Sequence, residues 1–355
     1  MSTNQLRTYR FATRAQWDKC LFVQADRESA TAGDVVRPFA PYDRPAALYE
    51  SPGAYAPVVT RAGEILWLDD EGALHRLSPC NDAPESVKPP CAIVSASRIV
   101  ATSSGLWVIA RTPKLKRDSI ELYEGDSFTR LLTIDLPNVQ GVDITSDSRD
   151  LVFVLVEENN VWKSLAFDRA GHLRQSIEFQ GLSHAEAFVF LKRSRRFVVL
   201  TGGPQPKLEW YAITDKHQAA QNIATKVLSR VVGGMRPCFS AHVLGSDSTE
   251  RVFLAGKDGE HFGQGEYIVT FDSDGNWLGD VPVDPSDASI TGVAADRHSL
   301  LATGKRGLLR FTASEVVPEG ASPVRCTLIT PMLFSPDRPD KRRWLRIEAT
   351  ERLPE

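Results

Sequence analysis

The sequence predicts an all-β chain, folded as a single β-propeller of about six four-stranded blades, with an irregular N-terminal arm and a C-terminal strand extension. Three observations carry this. Short apolar runs rich in Val, Ile, Leu, Phe and Trp recur at 64–68, 151–156 and 196–200, bounded by Gly, Asp, Ser and Pro, which is the mark of half-buried strands. Helical periodicity is nearly absent; one turn at 15–20 and an ambiguous stretch at 218–226 are the exceptions. A strand, an acidic Gly turn and a second strand repeat along the chain, as Leu68-Asp69-Asp70-Glu71-Gly72, Phe167-Asp168-Arg169-Ala170-Gly171 and Phe271-Asp272-Ser273-Asp274-Gly275.

Weaker copies of the turn are Tyr123-Glu124-Gly125-Asp126 and Thr214-Asp215-Lys216-His217, and a degenerate one falls at 314–320. Successive copies lie roughly 45 to 58 residues apart, the period of propeller blades. Asp at a turn bonds its own backbone and Gly supplies the positive φ of a tight hairpin. A hairpin cannot bury both faces alone, whereas a ring of four-stranded sheets can. A pair of β-sandwiches is the competing architecture.

Taken in order, residues 1–55 form the N-terminal strand and arm. Thr8 to Thr13 reads as a strand that closes the ring by joining the last blade. The Pro-, Ala- and Arg-rich segment 26–57 reads as an arm anchored over the propeller by Phe39, Tyr42, Tyr49 and Tyr55. The propeller spans 56–330. In its second unit the inner strands are 92–96 and 98–102, followed by 105–109; in its last they are 290–295 and 299–303, followed by 307–311. Ala101-Thr102-Ser103-Ser104-Gly105-Leu106 and Ala302-Thr303-Gly304-Lys305-Arg306-Gly307-Leu308 echo each other. Residues 331–355 read as a Pro-rich linker at 336–340 and a strand at 344–349, the start of a further β segment.

Composition excludes several classes. The chain has 355 residues, 42% of them hydrophobic, and a net charge of −3; nucleic-acid binders carry a clear basic excess. The basic runs 192–196 and 341–343 are short and read as solvated faces. No apolar stretch reaches the ~18 residues of a membrane span, and no signal pattern opens the chain, so synthesis is expected in the cytoplasm without membrane insertion. Cys20, Cys80, Cys91, Cys238 and Cys326 form no CxxC, hence neither a zinc site nor a disulfide framework; Cys80 and Cys91 read as separate thiols.

Catalytic signatures are missing: no GxSxG, HExxH, Walker loop or GxGxxG occurs. Asp272 to Asn276 resembles the start of a calcium loop, but Val283 stands where loop position 12 needs Glu, so it reads as a hairpin turn. His184 and Glu186 share a strand face at a spacing open to metal or acid–base work, and with Asp272 and Asp274 they are the positions at which a metal would first be sought. Propeller hydrolases build metal sites at the axis from several blades, which spacing cannot reveal. Trp67, Trp107, Trp162, Trp210 and Trp277 fall one per unit and read as blade packing rather than a sugar platform. No catalytic, metal or cofactor residue, and no cofactor, is expected.

The stretches 11–18, 37–51, 63–67, 235–239, 251–256, 278–285 and 343–348, with phrases such as Met235-Arg236-Pro237-Cys238-Phe239 and Arg343-Trp344-Leu345-Arg346-Ile347-Glu348, resemble the phage-tail-like proteins of bacterial contractile injection systems. The resemblance implies a non-enzymatic structural or adaptor part of a tail-like particle that is released after assembly. Its partners would be other tail or baseplate proteins, and a cell-surface receptor or glycan if it serves as the binding module. A lactonase-like propeller hydrolase is the other alternative.

Overall fold

The computed structural model describes residues 21–23, 25–30, 33–38, 47–71, 73–81, 83–87, 98–112, 117–136, 139–147, 150–202, 206–214, 218–228, 240–257, 266–275, 277–283, 289–295, 299–312 and 327–329. Its elements in chain order begin with β1 (Leu21–Val23), β2 (Ala25–Ala30), β3 (Gly33–Pro38) and β4 (Ala47–Glu50). Blade 1 follows as β5 (Tyr55–Val59), β6 (Ile65–Leu68), β7 (Leu74–Leu77) and β8 (Glu85–Val87), and blade 2 as β9 (Ile99–Thr102), β10 (Gly105–Thr112), β11 (Arg117–Tyr123) and β12 (Arg130–Leu136). Blade 3 is β13 (Gln140–Ser146), β14 (Val152–Glu158), β15 (Val161–Phe167) and β16 (Leu173–Phe179); blade 4 is β17 (Ala187–Leu191), β18 (Arg196–Thr201), β19 (Lys207–Ile213) and β20 (Ala219–Val227). Blade 5 is β21 (Ser240–Ser246), β22 (Val252–Lys257), β23 (Glu266–Phe271) and β24 (Trp277–Val283). Blade 6 is β25 (Gly292–Ala295), β26 (Ser299–Gly304) and β27 (Gly307–Thr312), and β28 (Thr327–Ile329) ends the series.

Each blade is an antiparallel meander, and the first strands β5, β9, β13, β17, β21 and β25 touch in a closed ring. The fold is therefore a six-bladed propeller. Blades 3 and 4 are also fused at their rims, where Glu178 pairs with Ala219 and Phe179 with Ala220 in parallel. The fourth strand of blade 6 is β4, antiparallel to β27 with Tyr49 opposite Leu308 and Leu48 opposite Leu309. The ring is thus closed from the N-terminal side, as expected, but by 47–50. Residues 8–13, assigned that task from sequence, lie outside the described residues, as do the linker and strand at 336–349, Phe39, Tyr42, and every cysteine but the exposed Cys80.

The arm carries more strand than its proline content predicts. β2 and β3 form a hairpin, and β1 pairs with β28. Pro38 ends its strand, a position where the missing N–H costs no ladder bond. Tyr49 is not an anchor laid over the propeller but part of its last blade, with its ring 6.5 Å from that of Trp67. The ambiguous stretch 218–226 is strand, β20.

The core lies between blades. Alternate side chains of one strand face opposite neighbours: Leu66 and Leu68 join Ile99, Leu106 and Val108 of blade 2, whereas Ile65 and Trp67 join Leu301 and Leu308 of blade 6. Six such clusters fill the six interfaces, as period-2 side chains require. Trp67, Trp107, Trp162 and Trp210 are all at most 3% exposed within these clusters, which makes them packing groups. They do not occupy equivalent places: the first two sit on second strands and the others on third strands.

One turn recurs throughout. Asp69, Asp147, Asp168 and Asp247 each accept, through Oδ1, the backbone N–H of the residue four ahead, at 2.8–2.9 Å. The residue three ahead takes a positive φ: Gly171 (82°), Asp150 (61°) and Glu250 (69°). The carboxylate caps the loop and the left-handed residue reverses the chain. The copies at 123–126, 167–171 and 271–275 join third to fourth strands in blades 2, 3 and 5, but the copy at 68–72 joins second to third in blade 1. The Ala101–Leu106 and Ala302–Leu308 echo is likewise one hairpin out of phase. What the two share is a glycine whose Cβ would strike a carbonyl: Tyr123 O at 2.1 Å for Gly105, Tyr49 O at 2.0 Å for Gly307.

Candidate functional site

The axis of the ring holds a cavity of about 390 Å³ lined by residues of all six first strands. These strands run in one direction, so the cavity has two tiers. The first tier lies four residues before the turns, where Ala56, Arg98, Asp143 and Phe188 line the cavity; the corresponding positions of blades 5 and 6, Val243 and Gly292, belong to strands β21 and β25 but not to its lining. The second lies at the turns themselves, with Thr60, Arg61, Thr102, Asp147, Lys192 and Asp247 among its members. Four residues of strand separate the tiers by about 13 Å.

In the first tier Arg98 and Asp143 are the two charged members, from adjacent blades, with Arg98 Nε 3.4 Å from Asp143 Oδ1. A bulge between Gly141 and Asp143 shifts β13 and sets the register from which Asp143 reaches its partners. The same bulge in blade 5 precedes Val243, so the bulge itself does not demand a carboxylate. The Asp143 side chain is 4% exposed and accepts the Ile144 N–H and the Phe188 N–H, each at 2.8 Å. Burial pushes its carboxyl above the ordinary value, against the opposing pull of Arg98 and the two backbone donors. A carboxylate has roughly four acceptor positions; the two backbone N–H bonds leave the rest open to Arg98, water or a ligand.

In the second tier Arg61 Nη2 lies 3.0 Å from Asp150 Oδ1. Asp150 also accepts the Ser103 N–H at 3.0 Å and the Ser103 hydroxyl. Partial burial opposes ionisation of Asp150, but the Ser103 bonds and the Arg61 charge outweigh it and hold the carboxyl below its ordinary value. Lys192 is pushed the other way for a base: desolvation, then the nearby Arg61 charge, lower its pKa against Asp147 and Asp150. Asp247 is spent on its own turn and on Arg251 Nε at 2.6 Å.

The residues singled out in the sequence lie elsewhere. His184 and Glu186 sit in the loop before β17, mostly exposed, with 3.8 Å between Nε2 and Oε1. Asp272 accepts the Asp274 N–H at 2.9 Å and Gly275 N bonds Asp272 O, while Asp274 pairs with Arg196 at 3.0 Å; this is a hairpin turn, as its sequence indicates. Neither pair reaches the axis. Sequence reasoning passed over Arg98, Asp143, Arg61 and Asp150, and took Lys192 only as part of the solvated basic run 192–196. One signal was legible: Ser146-Asp147-Ser148-Arg149-Asp150-Leu151 and Ser246-Asp247-Ser248-Thr249-Glu250-Arg251 are parallel phrases two blades apart, and they mark the axial ends of β13 and β21.

No family model and no curated protein matches the sequence. Solved structures do. Regucalcin from Agrobacterium tumefaciens, a calcium-binding protein, matches with TM-score 0.52 and 14% identity over 77% of this chain and 94% of its own. A provisionally named gluconolactonase matches with TM-score 0.54 and 11% identity, over 85% of this chain and 97% of its own. At such identities the likeness shows the β-propeller fold. It also overturns two expectations, the non-enzymatic tail-particle scaffold and the exclusion of an enzyme: the architecture that was read as a particle scaffold is shared with regucalcin and a gluconolactonase. Spacing misled because axial residues arrive one per blade and never form a local motif.

A divalent cation does not fit the axial residues. Among the described residues no group of three His, Cys, Asp or Glu side chains gathers, and Asp143 already faces a guanidinium and two N–H donors. No helix among the described residues is long and apolar enough to cross a membrane.

Proposed function

We propose that the chain is a lactonase-like hydrolase of small molecules, with Asp143 and Arg98 as its reacting pair. The observation that carries this is the first tier of the axial cavity: one buried carboxyl and one guanidinium face each other across adjacent blades, beside the uncharged Ala56 and Phe188 of that tier. A raised carboxyl in a cleft is suited to moving protons. In this reading Asp143 takes a proton from water as the oxygen attacks the lactone carbonyl. Arg98 stabilises the alkoxide of the tetrahedral intermediate. When the ring C–O bond breaks, Asp143 returns the proton to the departing alkoxide, leaving a hydroxy acid. The fold shared with a gluconolactonase supports the choice of a lactone as first substrate.

The test is acid release from gluconolactone above the buffer rate, with and without chelator. Turnover is expected to survive chelation, and Asp143→Asn and Arg98→Gln are each expected to lower kcat by about a hundredfold or more. Failure of the wild-type protein to hydrolyse a panel of lactones and simple esters defeats the proposal. If Asp143→Asn lowers Tm but leaves kcat unchanged, Asp143 is only a tether between blades 3 and 4, the role its bond to Phe188 N already gives it.

A further inference from the structure

The second tier does not take part in that chemistry. Arg61 and Lys192 line the cavity at the turn ends of β5 and β17, about 13 Å along the axis from Arg98 and Asp143. Arg61 shares its charge with Asp150. Lys192 has no ion pair among the described residues, although its ammonium carries three donors and lies within electrostatic reach of Asp147 and Asp150. Asp147 is engaged in its own turn through Leu151 N, and Asp247 is satisfied by Arg251. The same turn of blade 4 adds Arg193 and Arg195, both exposed, so this mouth of the channel draws anions. The two carboxylates beside Lys192 repel a second negative charge, which favours a monoanion over a phosphate dianion.

We propose that the Arg61–Lys192 end of the axial channel is a binding site for a small carboxylate, separate from the Arg98–Asp143 end. It rests on the channel's geometry and stands whether or not the chain hydrolyses lactones. The carboxylate bridges the Lys192 ammonium and the free donors of Arg61, and reaches them from the face of the ring where the first-to-second strand turns lie.

The experiment is calorimetric titration of the full chain with sodium gluconate, sodium acetate and inorganic phosphate. Saturable carboxylate binding is expected, at least tenfold tighter than phosphate. Lys192→Met is expected to weaken it tenfold or more, and Arg61→Gln, at a side chain 61% exposed, to weaken it with the fold intact by circular dichroism. Arg98→Gln is expected to leave it unchanged. The proposal falls if neither gluconate nor acetate binds, if Lys192→Met and Arg61→Gln bind as the wild type does, or if phosphate binds more tightly. Equal loss in Arg98→Gln and Lys192→Met overturns the separation of the two ends.

Discussion

Three residues occupy the same place in the same turn and take the same left-handed conformation: Asp150, Arg195 and Glu250, with φ of 61°, 54° and 69°. For an L-residue this costs about 1–2 kcal/mol. Two of them offset it. Each reaches back to the preceding blade: Asp150 to the Ser103 N–H, and Glu250 to the Arg193 and Ser194 N–H groups. Arg195 has no acceptor to offer. Arg195→Gly is therefore expected to stabilise the fold by about 1 kcal/mol, and Glu250→Gly to destabilise it by about 2 kcal/mol by leaving two N–H groups unmet; urea midpoints at constant m-value read both. The same turns set the acid limit. Asp168, held by the His172 N–H, then by Arg174 and the Ala170 N–H against slight desolvation, has its carboxyl lowered to about 2. Its contribution is complete above the unfolded value near 3.8 and lost as pH falls toward about 2; Asp150, also held below its ordinary value, loses its contribution in the same direction, as pH falls. Asp168→Asn is expected to flatten the fall in stability over that window, measured as urea midpoint against pH.

Blades differ in how firmly they are held. Between blades 3 and 4 lies a dense aromatic cluster in which Phe188 stacks on Phe197 at 5.7 Å and Phe153 and Phe179 meet it edge-on, and the rim strands β16 and β20 are paired as well. Between blades 6 and 1 the buried apolar groups among the described residues are Ala54, Ile65, Trp67, Leu77, Leu301 and Leu308. Amides of β5, β6 and β27 are accordingly expected to exchange with solvent through openings of lower free energy than those of β18 and β19; equal protection by mass-resolved hydrogen exchange refutes this ranking. The difference explains what the sequence could disclose. Apolar alternation such as Leu151 to Val156 reports burial, and Asp168 to Gly171 reports a turn, because the physics of each lies within a few consecutive residues. The turns ending in Asp150, Arg195 and Glu250 escaped notice because a non-glycine held at positive φ leaves no compositional trace. Arg98 and Asp143 escaped because 45 residues separate them and only the ring brings them to 3.4 Å.

Across the whole molecule, closure depends on a strand four residues long. Leu48 packs into the interface of blades 5 and 6, and Tyr49 into that of blades 6 and 1, so β4 belongs to two interfaces at once. Tyr49→Pro removes an N–H from the β4–β27 ladder and is expected to lower Tm by several degrees, whereas Glu28→Pro, in the hairpin outside the ring, is expected to leave Tm nearly unchanged; calorimetric scans of the two decide it. The pairing of Leu48 with Leu309 also has a meaning in time. The ribosome delivers β4 early and β27 about 260 residues later, which at ~5–20 residues per second is a wait of roughly 13 to 50 s. Throughout that interval an apolar strand stands with both edges open, the form most easily captured by another chain. Synthesis speed, as well as sequence, thus bears on whether each copy closes upon itself.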